Sequence, residues 1–302
     1  MNNTASLTAI VSAFARSYHS QHHYPIIFDD FLAQELISDE ESAMIGHNWA
    51  KAISFFNPQN ASKYSNKTDA LNWVMSTQCI PQTVSRAKYV EDCLENAITR
   101  GVEQYIILGA GFDTCAYRRT ELINHLQVFE LDHPATQTLK IKRMAELKWK
   151  IPNNVQFIPI DFTEENITNV LIKSSFSPKK LTFISWLGVT YYLTIDTIFE
   201  TLQALKRIIP TGSSIVFDYL DDTAFDPDRA SKRILQMQEI AKQAQEPLKT
   251  GLDPNTMELS LQQIDMLLYE HLSPEDIDKR YFNNRHDLLS AFEHFNFAHA
   301  TF

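Results

Sequence analysis

Two glycines and a set of acids, each standing at the end of an apolar run, are the residues whose types and spacing could do chemistry in this chain. Gly109 and Gly111 lie in the stretch 104–119, QYIILGAGFDTCAYRR, directly after the β-forming run Tyr105-Ile106-Ile107-Leu108. The whole chain has only seven glycines. Two of them within three residues mark a backbone that needs unusual φ/ψ or a close neighbour, and at the carboxyl end of a parallel strand that neighbour is usually a ligand. The next run ends in Glu130-Leu131-Asp132, and an acid about 20 residues beyond the glycines is where a carboxylate meets ribose hydroxyls in such folds. Asp132 falls at the strand's end, with Glu130 two residues back on the same face. A third run, FIPIDF, ends in Asp161, whose carboxylate could accept from an exocyclic amino group.

These acids and glycines narrow the ligand. A dinucleotide fingerprint, G-x-G-x-x-G, asks for a third glycine so that a helix N-terminus can approach the pyrophosphate; Thr114 occupies that position. S-adenosylmethionine has adenine, ribose and a charged sulfonium but no phosphate. The pattern therefore favours the methyl donor.

Positioning three such strand ends at one edge takes a sheet. Apolar or β-branched runs recur at 128–131, 155–160, 181–186 and 214–219, with helical patterns between them at 135–147 and 195–209. In the latter, Ile198, Phe199, Leu202, Leu205 and Ile209 point inward, Thr194 is the N-cap and Pro210-Thr211-Gly212 the stop. Strands alternating with helices predict an α/β, doubly wound, mainly parallel Rossmann-like sheet. Upstream, Leu7, Ile10, Val11, Phe14 and Tyr18 share one helical face capped by Ser6, residues 29–41 read as a second helix with Phe31, Leu32, Leu36 and Ile37 inward, and 81–99 as a longer one stopped by Gly101. The expected organisation is one domain over 1–302: a helical N-terminal extension (1–100), a ligand-binding core (101–221), a polar helical cover (222–256) and a C-terminal part of the core (257–302).

Composition excludes several partners. A net charge of −10 and a pI near 5.5 lack the concentrated positive charge that nucleic acid or an anionic membrane requires. Cys79, Cys93 and Cys115 form no CxxC pair, so neither a disulfide framework nor a metal site is indicated, and His19, His22 and His23 have no acidic or cysteine cluster around them. With no leader-like N-terminus and no long apolar run, the expectation is a soluble cytoplasmic protein with a small-molecule partner.

In order along the chain, GVEQYIILGAGFDTCAYRR, VFELDHPAT, IPIDFTE, SWLGVTYYLT, IVFDYLDD, EPLKTGLDP and RYFNNRHD resemble the leucine carboxyl methyltransferase family. Within it they are most similar to the bacterial branch of S-adenosylmethionine-dependent O-methyltransferases, which includes polyketide-tailoring members. The resemblance implies that Gly109 and Gly111 shape the site of S-adenosyl-L-methionine, that Asp132 binds ribose, and that Asp161 with Phe162 flanks the adenine. It also implies that Arg86 holds the donor's carboxylate; an always-charged guanidinium fork suits that task, although composition alone would make Arg86 a surface residue. Arg16 matches a basic residue of the N-terminal segment loosely. Two positions depart from the family pattern: Leu187 stands where glutamate is common, and Cys115 where arginine is usual.

Methyl transfer from a sulfonium is an in-line displacement, so the protein's task is to hold the nucleophile at about 3 to 3.5 Å in a water-poor pocket. A carboxylate acceptor needs no base. A phenol or alcohol gains from one, and His133 and Tyr192, the latter matching a family tyrosine near the substrate, are the candidates at this sheet edge. Two other classes stay open: a non-catalytic donor-binding protein, to which Leu187 lends weight, and an NAD-dependent oxidoreductase.

Overall fold

The protein is described by a computed structural model over residues 5–302. Its centre is a seven-stranded sheet in the order β3-β2-β1-β4-β5-β7-β6, formed by β1 (Gln104–Leu108), β2 (Gln127–Asp132), β3 (Val155–Pro159), β4 (Thr182–Trp186), β5 (Ser214–Leu220), β6 (Leu267–Leu272) and β7 (Phe295–Thr301). The first five run parallel, and β7 inserts antiparallel between β5 and β6. Each of the five parallel strands coincides with a predicted run, and the α/β, doubly wound class is what the alternation predicted.

Both faces of the sheet are covered, which is why the parallel strands read as unbroken apolar runs. Every residue of β1 is buried. Tyr105 and Ile107 pack into one core with the N-terminal helices, while Ile106 and Leu108 pack into the other with the Ile195–Lys206 helix. The strand order reverses between β1 and β4, and in open α/β sheets the crevice outside the carboxyl ends at such a switch point is where ligands bind.

Helix starts follow side-chain chemistry. Ser6 Oγ accepts the Ala9 N–H (3.1 Å) to cap Leu7–His22, and Thr194 Oγ1 accepts the Thr197 N–H to cap Ile195–Lys206. The predicted helix over 29–41 is displaced. Residues 31–37 form turns and the helix runs Asp39–Lys51, because Ser38 and Glu41 make a reciprocal capping box that fixes the start there. Leu36 and Ile37 are buried as expected, but Phe31 is 60% exposed. Leu7, at the very start of the first helix, is likewise exposed rather than inward. The long helix Ile80–Thr99 ends as read, with Gly101 at φ +93°. No helix among the described residues is long and apolar enough to cross a membrane.

Candidate functional site

A cavity of about 910 Å³ opens over the carboxyl ends of the parallel strands, within the size of pockets that hold cofactor-sized ligands. Its floor is the turn after β1. The N–H groups of Gly109 and Ala110 both donate to Leu131 O (2.8 and 3.0 Å), which folds the turn against the end of β2. Gly109 has φ +69° and Gly111 φ +51°, in the region side chains disfavour. A Cβ at Gly109 would also overlap Val189, and one at Gly111 would stand 3.3 Å from Ala9 of the first helix.

Asp132 closes the next side. Its carboxylate accepts the Gly111 N–H at one oxygen and the His133 N–H (2.6 Å) at the other. Burial raises its pKa, against the pull of those two backbone donors. Glu130 does not reach the cavity; it is buried against Lys140, and burial pushes its carboxyl up to about 7, opposed by that ammonium. Asp161 lines the rim, accepting Thr163 N–H (2.9 Å) and Oγ–H (2.7 Å). Burial raises its pKa, but the Thr163 bonds outweigh this and leave it lowered. Phe162 lines the same rim, with its ring 6.2 Å from that of Trp186.

The opposite wall is built on Arg86. From the middle of the long helix, its Nη1 donates to Asp218 Oδ2 (2.9 Å) and to the Tyr191 hydroxyl (3.0 Å). Asp218, on β5 and fully buried, also accepts the Gly188 N–H (2.7 Å). Gly188 has φ +72°, and a Cβ there would lie 2.8 Å from Arg86 Nη2, so the guanidinium lies flat over a residue without a side chain. Asp218, Tyr191 and Gly188 are the site residues that sequence reasoning missed. Gly188 carried a signal, being a glycine two residues past the end of a strand; Asp218 carried none, since an acid inside an apolar strand reads as an isolated polar residue.

The roof comes from two distant segments. Glu246, just beyond the helix Lys232–Gln243, accepts the N–H groups of Leu7 and Thr8 (3.2 Å each) at the start of the first helix. Both segments line the cavity. Arg16 lines it too, but is committed: Nε donates to Asp30 (2.7 Å) and Nη2 to Phe112 O (2.7 Å), pinning the first helix to the glycine turn. Thr114 also donates to Asp30 (2.6 Å). Leu187 and Tyr192 line the wall near Arg86. Burial, with Tyr191 beside it, raises the Tyr192 phenol well above its usual range. Cys115 is buried, and burial with Glu91 and Asp113 nearby raises its thiol, so it is a packing residue. His133 caps the Pro134–Glu146 helix and sets Nε2 3.8 Å from Asp161.

The turn does not suit a pyrophosphate. The helix that follows it, Cys115–Arg118, is only four residues long, and Asp113 Oδ1 accepts its first N–H from Cys115 (2.8 Å). A carboxylate therefore stands where a phosphate would need to be received.

Comparison with known proteins agrees with this geometry. The profile of the family described as leucine carboxyl methyltransferase matches residues 9–206. A Bacillus subtilis relative named "Putative S-adenosyl-L-methionine-dependent methyltransferase YktD" is 44% identical over 299 residues, covering 99% of this chain and 98% of its own. Among solved structures, a DUF574 family protein from Streptomyces avermitilis superposes with a TM-score of 0.60 at 10% identity, covering 98% of this chain and 97% of that one. A Thermobifida fusca protein does so with a TM-score of 0.55 at 14% identity, covering 99% and 95%. At such identities these two structures speak to the fold alone.

Proposed function

We propose, for a chain that belongs to the leucine carboxyl methyltransferase family and is an S-adenosylmethionine-dependent methyltransferase, that the methyl acceptor is an ionised oxygen, most simply a carboxylate, on a small molecule held beside Arg86 and Tyr192. The observation that carries this is the make-up of the cavity wall. Its one histidine among the described lining residues, His133, faces Asp161 on the far side, and the Tyr192 phenol is held neutral by burial.

The residues present fit the donor. Each Asp132 oxygen takes one backbone N–H and keeps a second lone pair for a ribose hydroxyl. Asp161 and Phe162 supply an acceptor and an apolar face for the adenine, and the two positive-φ glycines leave room for the chain between. Arg86 spends only Nη1 on Asp218 and Tyr191, so Nε and Nη2 remain to fork a carboxylate. When bound, the donor supplies an electrophilic methyl group on a sulfonium. The chain's own part is to orient and to exclude water. Glu246 ties the cover to the first helix over the cavity. Tyr192, kept as a neutral phenol, orients an acceptor oxygen by donating a hydrogen bond and does not take its proton. An acceptor that is already anionic needs no base, which accommodates the absence of glutamate at Leu187.

Release of the demethylated donor, measured with a panel of small carboxylic acids, phenols and alcohols, tests the reading. Turnover with a carboxylic acid is expected, and Asp132→Ala should weaken donor binding by about 1.5 to 3 kcal/mol, the range for hydrogen bonds to a charged group. Turnover confined to alcohols or phenols and rising with pH would overturn the acceptor assignment. Unchanged donor affinity in a folded Asp132→Ala protein would overturn the ribose assignment.

A further inference from the structure

We propose that Cys93, Glu270 and His299 form a binding site for a divalent metal of zinc type, outside the cavity. The sequence hides this cluster, since its three members come from the long helix, β6 and β7, with none of the close spacing that marks a zinc motif. In the fold one ligand atom of each lies within 4.8 Å of those of the other two. None of the three lines the cavity.

Three independent observations point at a ligand. Both ring nitrogens of His299 are buried with no hydrogen-bond partner, and a buried polar atom left unpaired costs about 1 to 3 kcal/mol; a metal bond would satisfy one of them. The imidazole is not free to turn away, because Tyr269 and Phe183 pack edge-on to it with centroids at 5.0 and 6.3 Å. The strand register is also altered at this point. Leu268 pairs with Ala300, but Glu270 pairs with His299, so a bulge at Tyr269 brings the carboxylate opposite the imidazole. Bulges re-aim side chains in this way, and without this one Tyr269 would oppose His299.

The carboxylate is held as a metal ligand's usually is. Tyr89 donates to Glu270 Oε2 (2.7 Å) and Arg280 to Oε1 (3.1 Å), and each oxygen keeps a lone pair. Thiolate, imidazole and carboxylate together suit a borderline-soft, tetrahedral ion, with a water completing the fourth position. The thiol proton leaves to buffer on binding, so thiolate and carboxylate balance the dication and Arg280 stays paired as before. Such an ion ties the long helix to the antiparallel edge of the sheet. Arg86 lies seven residues before Cys93, on the same face of that helix.

Titration of the chelator-treated full-length protein with Co²⁺ tests the site. A single equivalent should produce a thiolate-to-cobalt charge-transfer band, displaced by Zn²⁺, and Zn²⁺ should raise the melting temperature. Cys93→Ser should lose the band although Cys79 and Cys115 remain, and His299→Ala should lose the Zn²⁺-induced thermal shift. Absence of the band in the folded parent protein would overturn the proposal whatever the variants do. A band retained in Cys93→Ser, or an equal thermal shift in His299→Ala, would do the same.

Discussion

Arg86 is set by its neighbours more than by its own charge. A guanidinium that is nearly buried needs a carboxylate, and Asp218 supplies one from the middle of β5 (2.9 Å) while also holding the Gly188 N–H. Gly188 in turn has to be glycine for two reasons: φ is +72°, and a methyl group would press to 2.8 Å from Nη2. Gly188→Ala should therefore weaken binding of the methyl donor by tilting the Arg86 fork, beyond any loss of stability. Gly212→Ala is the matched control, because its φ of +95° carries comparable backbone strain but its Cβ would meet Leu181, outside the cavity. Calorimetric donor affinities of the two folded variants decide the matter. Equal affinities would mean that Gly188 serves only the turn, and that Arg86 is not gripping the donor through this geometry.

At the scale of elements, what was legible in the sequence is what local chemistry dictates. The five parallel strands could be read because burial on both faces leaves continuous apolar runs, and the acids at the ends of β2 and β3 because those runs stop there. The second helix starts later than the apolar spacing over 29–41 predicts, because the Ser38–Glu41 capping box fixes its N-terminus. Asp218 and Tyr191 were invisible, since their roles exist only where β5, β4 and the long helix meet. The first helix shows how such contacts change chemistry. His19 is fully buried, and its Nε2 accepts the Ile27 N–H (2.9 Å), so the ring is held neutral. Burial, with His23 and Arg285 adding to it and Asp287 opposing, lowers its pKa from 6.5 to about 3. The unfolded chain then binds the proton first as pH falls. Stability contributed by the neutral ring is complete above 6.5 and is lost toward about 3, at up to about 1.4 kcal/mol per pH unit. His19→Gln, whose amide oxygen can accept the Ile27 N–H without titrating, should flatten the decline measured by urea unfolding between neutral pH and mild acid. An unchanged slope would remove His19 from the acid response.

At the scale of the whole molecule, the cavity is assembled from segments far apart in the chain. Its floor is the glycine turn and the ends of β2 to β4, one wall is the long helix with β5 behind it, and its roof is the first helix joined to Glu246. A ligand that contacts all of them stabilises the folded state as a unit. At a free concentration about a hundred times its dissociation constant, such a ligand adds about 2.7 kcal/mol, and in a chain of this size that raises the melting temperature by a few degrees. S-adenosylmethionine and its demethylated product should both produce this shift. NAD should not, because its pyrophosphate would meet Asp113 at the mouth of a four-residue helix instead of free N–H groups on a long one. The comparison tests the residues assigned to the donor without knowledge of the acceptor. A shift with NAD and none with the methyl donor would overturn the donor-site assignment altogether.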